Sequence, residues 1–169
     1  MSKSIFRVLF LLLVVCNLSL FLQSCGWHLR GSIELPDNMK TVYVQSSSGI
    51  GLVRELNRVL KSSGATVVND PTGATAILMI RSAKQDRRVL SVSSTTARAQ
   101  EYELSYIVDY SIENSHGKEL YPHQTVTLLR DYRFDENDLL GKGSEEGILV
   151  KEMEKEMALS ILRRLRARK

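Results

Sequence analysis

The chain has 169 residues, of which 25% are charged and 43% hydrophobic. This composition is typical of one globular domain, and the length is too short for most large enzyme architectures. The 23 Lys and Arg against 19 Asp and Glu give a net charge of +4, and this excess is too small to indicate nucleic-acid binding. The two cysteines are Cys16 and Cys25. The chain after residue 25 therefore has no thiolate for a disulfide scaffold, a zinc ribbon or an iron–sulfur site.

Residues 1–24 have the pattern of a secretory signal peptide. Lys3 and Arg7 form a basic start, and apolar runs follow at residues 8–15 and 18–22. A transmembrane anchor is the alternative, because the apolar stretch approaches the ~20 residues that a membrane span needs. Removal of residues 1–24 would leave 21 basic against 19 acidic residues, a net charge of +2, in a single domain of residues 25–169.

The leader ends in Leu22-Gln23-Ser24-Cys25-Gly26, which resembles the lipobox of bacterial lipoproteins. The resemblance implies that Cys25 becomes the first mature residue and carries a diacylglycerol on its sulfur and an acyl chain such as palmitate on its amino group. Several acyl chains anchor a protein stably, since each buried CH₂ contributes about 0.8 kcal/mol. By the bacterial sorting rules, Gly26 implies the outer membrane, with the domain on the periplasmic side. A buried structural cysteine is the alternative, but it requires the apolar leader to fold into the domain.

The first half of the mature chain predicts a strand followed by a helix. Val42 and Val44 alternate with polar positions, which indicates a strand that begins at Thr41. Apolar residues then recur at helical spacing over residues 50–62, and Gly64 is placed to end an amphipathic helix. Residues 66–68 could start a strand before the turn-forming residues 69–73, and the next extended segment is predicted at residues 74–82.

Residues 101–113 have the clearest pattern in the chain. Their even-numbered positions are apolar or aromatic, from Tyr102 to Ile112, and the odd-numbered positions are mostly polar. This alternation predicts a long strand with one wet face. Residues 114–118 have hairpin chemistry and residues 119–134 alternate again, so the two strands are predicted to pair antiparallel. Residues 83–100 are predicted to form two long strand ends and an exposed hairpin tip.

A second helix is predicted from Ser144-Glu145-Glu146 to about residue 166, because it starts with a cap residue and two acids that favour the helix dipole. The order of elements predicts the α+β class: a two-layer sandwich in which two helices pack on one face of a mostly antiparallel sheet of about four strands. The apolar stripe of the second helix is Leu149, Met153, Met157, Ile161 and Leu165.

The chain lacks the common catalytic signatures: a nucleophile elbow, a phosphate-binding glycine loop, a His-Glu-x-x-His motif and a cysteine nucleophile with a histidine partner. His28, His116 and His123 have no ligand-like spacing, and they are interpreted as surface histidines. Glu101, Glu103 and Asp109 share one strand face, which a solvated surface explains without chemistry. The prediction is a protein that is not an enzyme and needs no metal or cofactor.

Three basic residues remain as candidates for anion binding. Arg88 and Arg98 flank the Ser- and Thr-rich hairpin, and Lys142 lies between Gly141 and Gly143 just before the second helix. Free amides at a helix start also favour an anion. If a phosphate-bearing ligand binds, arginine would supply forked donors and lysine a compact charge. Solvating surface charges are the alternative for all three residues.

The chain resembles the LptE family of lipopolysaccharide-assembly lipoproteins over essentially the whole mature sequence. The most specific part is Cys25 followed by Gly26-Trp27-His28-Leu29-Arg30-Gly31. The further matching segments are Leu35-Pro36, Glu101-Tyr102-Glu103-Leu104, Leu120-Tyr121-Pro122 and Lys151-Glu152-Met153.

The resemblance implies a plug inside the large outer-membrane β-barrel LptD, which helps that barrel to fold and to insert lipopolysaccharide into the outer leaflet. It also implies lipopolysaccharide binding through basic loop residues, for which Lys142 is best placed. The hairpin tip has Ser93, Ser94, Thr95 and Thr96, with Arg98 displaced along the strand. The wet strand face would then meet the polar lumen of the barrel, in a stable complex.

Two other functions are open at this stage. A free-standing outer-membrane lipoprotein would bind a periplasmic polymer such as peptidoglycan through the Ser/Thr hairpin with Arg88 and Arg98, and it would need no barrel. A hydrolase would use His116 or His123 with a strand carboxylate.

Overall fold

The computed structural model describes residues 35–133 and 142–167, together with Phe10 and Leu13, and in the second range it describes side chains from residue 146 onward. The chain divides into two compact units, Met1–Gly31 and Ser32–Lys169, and the fold below belongs to the second. Cys25, His28 and most of the predicted leader lie outside the described residues. The signal peptide and the domain boundary at residue 25 therefore stay predictions.

Five strands and two long helices make up the described part of the second unit. Short 3-10 turns at Asp37–Met39 and Pro71–Gly73 precede β1 and β3. In chain order the elements are β1 (Thr41–Ser46), α1 (Ile50–Ser62), β2 (Thr66–Val68), β3 (Ala76–Val92), β4 (Ala99–Glu113), β5 (Glu119–Arg133) and α2 (Lys142–Arg166).

The sheet is mixed, with the strand order β2-β1-β3-β4-β5. The long strands β3, β4 and β5 pair antiparallel, as their alternation predicts. The prediction of about four strands in a mostly antiparallel sheet is corrected at the other end, where β1 pairs parallel with both β2 and β3. The reason is that α1 returns the chain between β1 and β2, and residues 69–75 return it between β2 and β3, so both neighbours of β1 run in its own direction.

Both helices pack on the same face of the sheet, which confirms the predicted layer arrangement. The even-numbered positions of β4 from Leu104 to Ile112 are at most 5% exposed. They form one core with apolar side chains of β1, β3, β5 and both helices. The helix residues of this core are Leu52, Leu56, Val59, Leu60, Met153, Met157, Ala158, Ile161, Leu162 and Leu165.

An irregularity in β3 decides which of its side chains face the helices. The register with β4 shifts between Ile80 and Ser82. Before this shift the even-numbered residues of β3, such as Leu78, lie in the core, whereas after it Ala83 is packed against the core and Lys84 is exposed. One extra residue in a strand reverses the side-chain phase beyond it.

The hairpin between β3 and β4 confirms the predicted exposed tip. Its residues 93–98 are closed by a hydrogen bond from the Ser93 N–H to the Arg98 carbonyl oxygen at 2.7 Å. The Ser93 hydroxyl oxygen also accepts from the Thr95 and Thr96 amides. Ala97 has a φ of 55°, so the tip contains one residue in the left-handed region.

The last helix, α2, begins at Lys142, two residues earlier than the predicted cap at Ser144. Serine, the residue type expected at a helix cap, also occurs within the first turn of helices. A sequence pattern therefore defines the ends of a helix less well than its middle. The predicted stripe from Met153 to Leu165 is buried, and cations crowd the last turn. No helix among the described residues is long and apolar enough to cross a membrane.

Two buried tyrosines of β4 give a matched test of this core. Tyr110 donates a hydrogen bond to Gln124 Oε1 at 3.0 Å, whereas the Tyr106 hydroxyl has no partner among the described residues. Burial raises the pKa of the Tyr106 phenol to about 12. We expect Tyr110→Phe to lower the free energy of unfolding by about 0.5–1.5 kcal/mol and Tyr106→Phe to leave it unchanged or raise it, because only the first removes a hydrogen bond. Urea unfolding measures both, and an equal loss in the two variants would contradict the assignment.

Candidate binding surface on the open sheet face

The long strands leave one face of the sheet uncovered by any described element. It is the face opposite the helices, and we call it the open face. Beyond the register shift that follows Ile80, register places its side chains in five cross-strand rows. The rows are Ser82–Asp109–Thr125, Lys84–Ile107–Thr127, Asp86–Ser105–Leu129, Arg88–Glu103–Asp131 and Ser91–Glu101–Arg133.

Asp109 is the hub of the first row. The Ser82 hydroxyl donates to Asp109 Oδ2 at 2.6 Å, and the Thr125 hydroxyl donates to Asp109 Oδ1 at 2.5 Å. His123 Nε2 lies 3.7 Å from Asp109 Oδ1. The hydrogen bonds from Ser82 and Thr125 hold the pKa of the Asp109 carboxyl below its usual range, with a smaller contribution from His123. Asp109 therefore stays charged on this face.

Ion pairs across the strands compensate two carboxylates, Glu103 and Glu101, at the other end of the open face. Arg88 Nε lies 2.7 Å from Glu103 Oε1, and this contact raises the pKa of the Arg88 guanidinium. Arg133 Nε lies 3.2 Å from Glu101 Oε1, and the Ser91 hydroxyl donates to the second oxygen of Glu101 at 3.1 Å. Directly opposed residues of antiparallel strands are close enough for such contacts.

The open face suits a protein surface better than an anionic lipid. Its five rows contain five carboxylates against three basic side chains, a net charge of −2. Its middle also has two exposed apolar side chains, Ile107 and Leu129. An anionic headgroup would be repelled by this charge. A polar protein surface, by contrast, can place complementary groups against the charged side chains and cover the apolar residues.

The helix-side face of the same strand ends is tied to the start of α2. Arg87 stacks over the Tyr102 ring at 4.8 Å, and Tyr102 stacks on Tyr132 with ring centroids 5.6 Å apart. Glu146 accepts from Arg87 Nη1 at 2.9 Å and from the Tyr132 hydroxyl at 2.8 Å. Burial raises the pKa of Tyr132, as does the bond to Glu146. Since Glu146 is one turn after Lys142, this cluster sets the position of the first turn of α2.

The three basic candidates lie at separate places in the fold. Arg88 is on the open face and is paired with Glu103, four residues or roughly 13 Å along β3 from its end at Val92. Arg98 is an exposed residue of the hairpin tip. Lys142 is the first residue of α2, on the helix side of the sheet, and its side chain lies outside the described residues. Arg88 is therefore on the face opposite α2, whereas Arg98 is at the tip of the hairpin.

The described histidines lie apart. His116 is in the β4–β5 turn, where its amide donates to Asn114 Oδ1, and His123 contacts Asp109 on the open face. Within residues 35–133 and 142–167, no three His, Cys, Asp or Glu side chains are grouped to hold a metal ion.

Sequence reasoning missed the roles of Ser82, Arg87 and Glu146, because their partners are distant in sequence and follow only from strand register and helix placement.

Solved structures share this architecture. The solution NMR structure of lipoprotein B from Nitrosomonas europaea is 34% identical to this chain, covers 84% of it and 91% of its own length, and superposes with a TM-score of 0.70. The crystal structure of rare lipoprotein B from Shewanella oneidensis is 25% identical, with coverages of 75% and 94% and a TM-score of 0.64. The class of protein is thus an α+β domain of the kind found in bacterial lipoproteins.

The family follows from a second comparison. The model of the LptE family, described as lipopolysaccharide-assembly, matches residues 39–165. This chain belongs to the LptE lipopolysaccharide-assembly family, which confirms the resemblance drawn from its sequence. The LPS-assembly lipoprotein LptE of Pectobacterium atrosepticum is 27% identical over 148 residues, which cover 86% of this chain and 79% of that protein.

Protonation of Asp109 gives a test of the open-face network. The hydrogen bonds from Ser82 and Thr125 stabilise the charged carboxylate, so its folded-state pKa lies below the unfolded value of 3.8. This stabilisation is complete above the unfolded pKa and is lost as pH falls through the folded pKa. We expect Asp109→Asn to be less stable than wild type at pH 7 and to lose less stability between pH 5 and pH 2.

Thermal unfolding over this pH range measures the effect. Asp86→Asn is the matched control, because Asp86 is an exposed carboxylate of the same face without a hydrogen bond among the described residues. A pH profile of Asp109→Asn that coincides with that of wild type would show that the network does not stabilise the fold.

Proposed function

We propose that this protein is a non-catalytic lipoprotein subunit that plugs the LptD β-barrel in the outer membrane, helps to assemble it and aids the insertion of lipopolysaccharide at the membrane surface. Family membership supports the assembly role, since the family description names assembly rather than catalysis. The observation that carries the proposal is the open face, because its rows of paired charges have the chemistry of a surface that is covered by another polar surface.

A barrel lumen is a wall of this kind. The interior of a transmembrane β-barrel is polar, because strands alternate apolar residues towards lipid with polar residues towards the lumen. Asp109, Glu101 and Glu103 already have partners at 2.5–3.2 Å within the open face, so the lumen would have to supply partners only for Asp86, Asp131 and Lys84. A carboxylate that is covered without a partner is strongly destabilising. The contacts that these carboxylates make within the open face therefore lower the free-energy cost of covering it with a polar lumen.

The lipid anchor belongs to the same proposal. Cys25 at the lipobox would hold the mature domain at the periplasmic side of the outer membrane, which is where a barrel partner is accessible. Only nine residues, 26–34, separate Cys25 from Leu35, the first described residue of the domain. A fully extended segment of this length reaches at most about 36 Å, so the domain would stay close to the membrane surface.

Lipopolysaccharide contact is assigned to the basic residues outside the open face. Lys142 at the first turn of α2 combines a cation with the free amides of a helix start. Arg98 at the exposed hairpin tip is the second candidate. Arg88 is the weakest of the three, because Glu103 already compensates its charge. The phosphate groups of lipopolysaccharide would be bound by Lys142 and Arg98.

Extraction of the full-length protein from its native membrane in mild detergent tests the plug. We expect affinity purification to recover a heat-modifiable barrel in equal stoichiometry. Leu129→Glu should lower this recovery at least about tenfold, because covering an unpaired carboxylate costs more than the 1.4 kcal/mol that a factor of ten represents. Ile148→Glu is the matched control, since Ile148 is an apolar side chain of α2 with 55% exposure, close to the 58% of Leu129.

Other outcomes point elsewhere. Recovery of a lone lipoprotein, or of one attached to cell-wall fragments, would replace the plug with a free-standing polymer-binding lipoprotein. Equal recovery for Leu129→Glu and wild type would retain the barrel and move the interface away from the open face.

Charge reversal at Lys142 tests the lipid assignment. We expect Lys142→Glu to weaken binding of purified lipopolysaccharide about five- to tenfold, because it replaces attraction to phosphate with repulsion. The far-UV spectrum should not change. Lys155→Glu reverses the charge of an exposed residue three turns further along α2 and should bind as wild type does. Equal binding by Lys142→Glu, measured by filter retention or calorimetry, would remove Lys142 from the site.

A further inference from the structure

Both helices end at the same edge of the domain. α1 begins beyond the end of β1 and is followed by β2, which starts beside the start of β1, so α1 ends level with the first residues of these strands. α2 runs in the same direction. Its Glu146 contacts Arg87 of β3 and Tyr132 of β5, near the ends of these strands, and further along α2 the Glu154 carboxyl group lies against α1, because a Cβ at Gly51 would overlap it. We call the edge at which both helices end, and β1, β2 and β3 start, the base.

The last turn of each helix at the base is basic. Lys61 belongs to the last turn of α1, and Arg163, Arg164 and Arg166 belong to that of α2. All four side chains are exposed, and none of them has an ion-pair partner within residues 35–133 and 146–167. A helix dipole is equivalent to about half a negative charge at its C-terminus, so the two dipoles together offset roughly one of these positive charges.

The rest of the base does not cancel this charge. Lys40 pairs with Asp37 at 3.2 Å, and Arg81 pairs with Glu113 at 3.2 Å. The described charged side chains that remain at the base give a net charge of +3, whereas the rows of the open face carry −2. They are Lys61, Lys118, Arg163, Arg164 and Arg166 against Asp70 and Glu119.

The chain also enters the domain at the base. Leu35 and the turn Asp37–Met39 come directly before β1, and Met39 is fully buried, which fixes the entry point. Residues 26–34 connect Cys25 to Leu35, so a lipid on Cys25 would keep the entry point within about 36 Å of the membrane. A short tether gives the tethered surface an effective concentration of about millimolar at its target. Weak electrostatic contact between the base and the membrane is then sufficient for binding.

We propose that the base is a docking surface for an anionic phospholipid bilayer, bound through Lys61, Arg163, Arg164 and Arg166. This inference rests on the lipid anchor of the proposed function, and it concerns the anchored protein before a barrel engages it. Each lysine or arginine close to an anionic membrane contributes about fivefold to binding. In this orientation the long strands extend away from the membrane, and the open face is accessible to a partner in the periplasm.

The contact is with lipid headgroups rather than acyl chains. The exposed large apolar side chains of the described domain lie away from the base, at the start of α1, along the far halves of the long strands and near the start of α2. They are Ile50, Val89, Leu90, Val92, Ile107, Leu129 and Ile148. A purely electrostatic contact is screened by salt, so binding of the base is expected to be reversed at high ionic strength.

The mature lipidated protein, purified without a barrel and added to preformed vesicles that contain a headgroup-linked quencher, tests the contact. A fluorophore on Ala167→Cys reports on the base, and one on Ser94→Cys reports on the exposed hairpin tip. We expect the base probe to be quenched at least about threefold more on vesicles of phosphatidylcholine with about 20 mol% phosphatidylglycerol than on phosphatidylcholine alone. The tip probe should show no difference, and about 0.5 M NaCl should abolish the difference at the base.

A triple variant tests the residues. Arg163→Gln, Arg164→Gln and Arg166→Gln together should remove the extra quenching of the base probe on anionic vesicles. The matched control is Arg54→Gln, Lys151→Gln and Lys155→Gln, which removes three positive charges from exposed residues of the same helices further from the base and should keep the extra quenching. Thermal unfolding of both triple variants checks that they fold, and the salt titration of wild type depends on neither.

The remaining outcomes separate this inference from the proposed function. Equal quenching of the base probe on the two vesicle types, equal quenching of both probes, a difference that persists in high salt or the same loss in both triple variants would each overturn the base as a docking surface and leave the anchor and the plug intact. A mature protein whose intact mass lacks acyl groups would overturn the anchor and this inference together. Recovery of a barrel from the native membrane decides the plug independently of either.

Discussion

The antiparallel pairing of β3 with β4 is the constraint on which the rest of this domain depends. It runs from Ile77 opposite Glu113 to Val92 opposite Ala99, far beyond the five residues of β3 that pair with β1. One half of the long strands therefore lies in a closed sheet beneath α1 and α2, and the other half extends as a three-stranded arm. The register shift after Ile80 sets which side chains of that arm face the helices and which form the open face.

The arm distributes charge unevenly. On the open face, carboxylates are held by neighbours on the adjacent strands, as with Glu103 and Arg88. On the helix side, Arg87 and Glu146 join the arm to α2 through an aromatic stack. Paired charges can be covered by a protein surface at lower cost than isolated ones. The proposed lipid contact is therefore assigned to cations outside the open face, at the hairpin tip and at the start of α2.

This arrangement connects the fold to an assembly role. A binding surface built on paired strands is more rigid than one built on loops, and a rigid polar face suits a permanent partner. A subunit with such surfaces can hold a larger protein in a defined shape without performing chemistry.

Local patterns in the sequence predicted much of this protein. The period of 3.6 defined α1 over Ile50–Ser62, and the period of 2 defined β4 and its core face. Short-range chemistry also located the hairpin tip at residues 93–98, and the motif resemblance identified the family that the comparison confirms. These features depend on residues that are close in sequence, so a single chain read from end to end contains them.

By itself, then, the sequence determined the α+β class, the two helices on one face, the antiparallel long strands and the family. Only the tertiary structure decided the parallel pairing of β1 with β2 and β3, the pairing of Arg88 with Glu103 and the placement of Arg88 on the open face. β2 has three residues, too few for a periodic signal. Partner choice among strands and cross-strand ion pairs depends on register, and one extra residue near Ile80 changes register for every side chain beyond it.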